Sequence, residues 1–128
     1  MKKLLIVCVF IFFAPSLYPQ TTEKIADFNK GSALFRACQA NIRGMDAAPG
    51  TDVADNALAN ECLDYIAGFT DAATLVENIY CANQVSMGTM TRVYVLFIQE
   101  HPKLLDTYRG IGLMLALKAN YPCPITGK

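Results

Sequence analysis

His101 is the only histidine in the chain of 128 residues, and no Cys-x-x-Cys unit occurs anywhere in it. Each absence excludes a class of chemistry. A lone imidazole directly before Pro102 has the position of a helix boundary, not of a general base. A thiol oxidoreductase or a thiolate metal site needs cysteines only a few residues apart. Lys and Arg are missing between Arg43 and Arg92, whereas Asp46, Asp52, Asp55, Glu61, Asp64, Asp71 and Glu77 all fall in that interval. Nucleic acid and anionic membrane are poor partners for such a segment, because phosphate binding needs concentrated cations. No repeat, low-complexity tract, strand alternation or second long apolar run follows the amino-terminal one.

That first run decides what the cysteines mean. Lys2 and Lys3 precede "LLIVCVFIFFA", residues 4–14, which is basic and then apolar but too short to span a bilayer. A secretory signal peptide is expected over residues 1–20, cleaved between about residues 16 and 20, with 21–128 forming a single helical domain. Val7 stands where a lipoprotein signal would want a small residue before Cys8, so a lipid anchor is not expected. Removing Lys2 and Lys3 leaves nine bases against eleven acids. Cys38, Cys62, Cys81 and Cys123 remain, and an even count in an exported chain reads as two disulfides.

Periodicity gives an all-α chain of four or five helices. "GSALFRACQANI", residues 31–42, forms a short first helix with Ser32 as its cap and Leu34, Phe35, Cys38 and Ile42 inward. Asp52 caps the second, with Asp55 in its first turn. Its apolar stripe is Leu58, Cys62, Tyr65, Ile66, Phe69, Ala73 and Val76, and Asn60, Asp64, Asp71 and Asn78 face away. Ser86 caps a third helix that runs to Glu100 with Met90, Val93, Tyr94 and Phe97 inward. Pro102 opens a fourth, whose buried stripe is Leu104, Leu105, Tyr108, Ile111, Leu115 and Ala119. Gly68 in the second helix reads as a point where another helix comes close, and Gly110 with Gly112 in the fourth as a packing or kink signal. For Gly68, contact with a partner is the alternative.

Four helices with short connections pack as an antiparallel bundle, and that topology selects the disulfides. Cys38 near the end of the first helix lies beside Cys62 near the start of the second. Cys81 and Cys123 both follow helices that end at the opposite pole. Joining Cys62 to either would mean closing roughly 28 Å of helix, far beyond the ~7 Å that a disulfide allows between Cα atoms. The expected pairs are Cys38 with Cys62 and Cys81 with Cys123.

The ordered set of Cys38, "CLDYIAGFTDA" from residue 62, Cys81, "HPKLL" from residue 101 and "ALKANYPCP" from residue 116 resembles the Rap/Tai immunity-protein family. The resemblance implies a small, periplasmic, disulfide-bonded helical protein. Such a protein would bind a peptidoglycan-cleaving amidase effector of type VI secretion and act in some cases as a homodimer. Neither an enzymatic role nor a cofactor or metal is expected. Asp64 and Asp71 are two helical turns apart, roughly 10 Å, which exceeds the spacing of glycosidase carboxylates.

An inhibitor without chemistry of its own must occlude its target, and loops on a rigid scaffold suit that task. The candidate segments are "RGMDAAPGTD", residues 43–52, and "CANQVSMG", residues 81–88, with Ala82, Asn83, Gln84, Val85, Ser86 and Met87 favoured as partner-binding residues. Asp64 and Asp71 join them as an electrostatic face. The alternative readings are an acid-stress chaperone and a structural envelope protein without a toxin partner. A gene for a secreted amidase next to this one would separate immunity from both.

Overall fold

The computed structural model describes residues 26–47, 53–76 and 79–124. The expected signal peptide, the Asp52 cap and the positions of Glu77 and Asn78 lie outside the described residues. Four α-helices follow in order: α1 (Gly31–Asp46), α2 (Val53–Ala73), α3 (Met87–Glu100) and α4 (Arg109–Asn120). Short 3-10 turns at Asp27–Asn29 and Pro102–Asp106 precede α1 and α4, and no strand is present among the described residues.

The first helix is the axis of the molecule: α2, α3, α4 and the Pro102–Asp106 turn all pack against it. Leu34, Cys38, Ile66, Tyr94, Ile98, Leu113 and Leu117 form the centre of the core, none more than 1% exposed. The helix begins at Gly31 because this residue is trapped. Its N–H donates to the Thr107 carbonyl at 2.8 Å, and its own carbonyl accepts from the buried Tyr94 hydroxyl at 3.2 Å. A Cβ on Gly31 would run into the Leu104 carbonyl, so only glycine lets the entry to α4 lie this close. Lys30 is the N-cap and contributes no side-chain bond, so Ser32 does not cap the helix. Nor does α1 stop at residue 42: it continues through Gly44 to Asp46, held by Arg43 to Asp55 on α2 and by Asp46 to Arg92 on α3.

Both disulfides form as topology requires, Cys38 with Cys62 and Cys81 with Cys123. Ser86 caps α3, its Oγ accepting the Thr89 N–H at 3.1 Å. In α2, Cys62 and Ile66 are buried while Leu58 and Val76 at the two ends of the expected stripe are exposed, and the helix closes at Ala73. The expected close approach at Gly68 is not there: a Cβ at this position would meet nothing within 4 Å.

The fourth helix differs most from expectation. Pro102 opens only a 3-10 turn, and Thr107 and Tyr108 are extended before α4 restarts at Arg109. The buried stripe is Gly112, Leu113, Ala116 and Leu117, rotated from the expected one, so that Tyr108, Ile111, Leu115 and Ala119 face outward. Small residues explain the choice. Gly112 and Ala116 let α4 lie close to its neighbours, and a Cβ on Gly112 would come within 2.9 Å of Ile98 Cδ1.

Candidate functional site

The favoured loop is a turn tied down at both ends. Cys81 is bonded to Cys123, and its backbone N–H donates to the Tyr121 carbonyl at 2.8 Å. Val85 N–H donates to the Ala82 carbonyl at 3.2 Å and closes a tight turn between them. Ser86 then enters the cap of α3. Ala82, Val85 and Met87 pack on the core, whereas Asn83 and Gln84 are exposed. The eight-residue segment seen in sequence therefore presents a tip of two residues. Gln84 has a φ of 68°, a left-handed backbone that a side chain bearing Cβ rarely adopts.

Beside the tip runs a cleft of about 490 Å³ lined by Thr70, Ala73, Thr74, Tyr80, Asn83 and Met90 among others. It brings the turn alongside the last turns of α2. Burial pushes the Tyr80 phenol above its ordinary pKa, and its hydroxyl has no hydrogen-bond partner among the described residues. Asp71 lies on the same end of α2 as this cleft and Asp64 lies two turns further down; both are exposed. The structure thus gathers Ala82–Met87 and Asp71 at one pole and leaves Asp64 along the helix. Of the other candidate loop, residues 48–52 lie outside the described residues. Its first residues are the end of α1, where Arg43 and Asp46 are engaged in ion pairs.

The interval without cations is less negative in space than in sequence. Arg43 reaches Asp55 at 3.0 Å, Arg92 reaches Asp46, and Arg109 reaches Glu61 at 3.3 Å. The Arg92 guanidinium, by hydrogen bond and charge, holds the Asp46 carboxyl below its usual range. His101 closes α3: its ring stacks on Phe97 with centroids 4.1 Å apart, and Nδ1 lies 2.8 Å from the Phe97 carbonyl. Its position is a helix terminus, as its place before Pro102 implies. Among the described residues no group of three His, Cys, Asp or Glu side chains could hold a metal ion.

A family model described as Rap1a immunity proteins matches residues 30–123. The chain belongs to this family. No curated protein and no solved structure gives a match. The span matched by the Rap1a model opens at Lys30, the cap of α1, and closes on Cys123, so it takes in all four helices and both disulfides.

One surface of this Rap1a-family chain went unseen in sequence. Tyr65 and Phe69 of α2 stack with centroids 6.5 Å apart, and the Arg109 guanidinium lies 4.1 Å above the Tyr65 ring. With Tyr108, Ile111 and Met114 they line a hollow of about 410 Å³ between α2 and α4. Tyr108 is 52% and Ile111 41% exposed, and Phe28, beside the neighbouring hollow, is 64% exposed. Aromatic residues with arginine are the composition of protein-binding patches. The pair Gly110 and Gly112 was the available signal. A Cβ on Gly110 would come within 3.1 Å of the Tyr65 hydroxyl, so that glycine marks where the α2 aromatic side chains reach α4.

Proposed function

We propose that this Rap1a-family chain is a periplasmic immunity protein that sterically blocks a peptidoglycan-cleaving amidase effector delivered by type VI secretion. Membership of an immunity-protein family supports the protective role. The basic and apolar amino terminus together with two disulfides supports an oxidising compartment outside the cytoplasm. Among the described residues no helix is long and apolar enough to cross a membrane.

The observation that carries the occluding mechanism is the anchored turn at Ala82–Val85. A turn whose ends are fixed by a disulfide, two backbone hydrogen bonds and a helix cap loses little freedom on binding. Asn83 and Gln84 enter the groove of the amidase, Ala82, Val85, Ser86 and Met87 support them, and Asp71 and Asp64 flank the approach. The test is to look beside this gene for one encoding a secreted amidase, whose absence would count against the reading, and to measure hydrolysis of a muropeptide by that amidase with and without the purified protein. Stoichiometric loss of hydrolysis is the expected result; undiminished hydrolysis at excess protein would reject the reading.

Self-association belongs to the same proposal. The exposed Tyr108, Ile111 and Leu115 face of α4 supports a homodimer through that surface, leaving the turn free. Sedimentation should show a dimer that Ile111→Glu converts to monomer. A monomer in the unaltered protein would exclude it.

A further inference from the structure

Gln84 holds the only positive φ found at a non-glycine position among the described residues, 68°. Among the described residues no hydrogen bond or core contact accounts for a glutamine there. Its side chain is exposed, lies outside the core and the residues packed on it, and makes no hydrogen bond within the described residues. Asn or Gly would adopt this backbone more readily, Asn through its own short side chain and Gly through the absence of Cβ. The strain persists because Ala82 and Val85 are packed on the core and bonded to one another across the turn. A strained residue fixed by its surroundings, with no internal role for its side chain, points to an external one.

We propose that Gln84 is the anchoring contact of the turn, its carboxamide seated in a partner groove whose donors and acceptors are spaced for an amide. This rests on the occlusion reading above and names its central residue. A carboxamide offers two N–H donors and two acceptor lone pairs in one plane, one donor more than the peptide amide that a hydrolase groove is built to hold, so it can satisfy the same acceptor and donor positions. It is also neutral. Its contribution should appear in dissociation and be insensitive to salt, unlike that of a carboxylate on the flank.

The experiment sets the purified protein and three variants against the amidase identified by the test above. Gln84→Ala keeps Cβ and the backbone restraint but removes the carboxamide, and should raise the inhibition constant roughly 10- to 100-fold through faster dissociation at both low and high salt. Gln84→Asn retains a carboxamide and should recover part of that loss. Gln84→Gly relieves the backbone and should melt at the same or a higher temperature while inhibiting as poorly as the alanine variant. Gln84→Ala inhibiting as well as the unaltered protein, with the latter active, overturns this inference alone. So does a markedly lower melting temperature for Gln84→Gly, which would give the residue a structural purpose. Failure of the unaltered protein to inhibit overturns the parent reading and this one with it.

Discussion

Two glycines make opposite demands on their helices. At Gly31 a methyl group would collide with the Leu104 carbonyl, a backbone atom that cannot turn aside. Gly31→Ala must push the Pro102–Asp106 turn off α1 and strain two hydrogen bonds, and should cost at least ~2 kcal/mol in urea unfolding. Gly68 is exposed with open space around it, so Gly68→Ala should instead stabilise by up to ~1 kcal/mol, the difference in helix propensity. Destabilisation by the second change would mean a packing role that the structure does not show. Tyr94 makes a third demand, through pH. Burial holds its phenol well above the ordinary range, so the native state keeps the proton that the unfolded chain releases near pH 10. Stability should therefore fall as pH rises above about 10, by up to ~1.4 kcal/mol per unit. Tyr94→Phe should flatten that slope while costing about 1 kcal/mol at neutral pH for the lost bond to Gly31.

At the scale of the element, caps and turns differ in what they reveal. Ser86 was legible because a serine just before a periodic run satisfies an exposed amide wherever the helix packs; Ser86→Ala should lower stability by about 1 kcal/mol in thermal melts, and no change would mean that solvent caps α3 equally well. Replacing all of Ala82–Gly88 by a Gly-Ser linker should lower the melting temperature further, because it removes that cap together with the core contacts of Ala82, Val85 and Met87. The face of α4 was not legible. "GIGLMLALKAN" is apolar nearly all round, and periodicity cannot choose between two apolar stripes. Choosing the stripe of large residues put Tyr108, Ile111 and Leu115 inside, whereas close packing selected the stripe with Gly112 and Ala116. The α2–α4 surface was missed for that reason. The turn at Ala82–Val85 was placed correctly by its cysteine and by the Ser86 cap. Its narrowing to Asn83 and Gln84 depended on Val85 and Met87 packing inward, which contacts across the bundle decide.

Across the whole molecule, charge and covalent bonds act together. Asp64 and Asp71 stand on a face whose other acids are partly neutralised by Arg43 and Arg109. Replacing both by Asn should still slow association with a basic partner several-fold at low ionic strength, with the difference shrinking in high salt. Stopped-flow rates unaffected at low salt would make the acids a solvated face only. The disulfides should separate under mild reductant. Cys38 and Cys62 are fully buried, while Cys81 is exposed, so Cys81–Cys123 should open first. On a chain-entropy estimate, losing closed loops of 24 and 42 residues costs roughly 3.5 and 4 kcal/mol. Timed alkylation followed by mass spectrometry would show the order, and simultaneous opening would mean that access does not control it.

The pairing of the cysteines also bears on how the chain reaches its native state. Each disulfide joins cysteines that are consecutive after residue 20, the third and fourth as well as the first and second. A polypeptide delivered amino end first exposes Cys38, then Cys62, then Cys81, then Cys123. An oxidase that joined each new thiol to the one still waiting would make both native bonds and no others. Proofreading by an isomerase would have nothing to correct, and, with the export proposed above, oxidative maturation could keep pace with translocation.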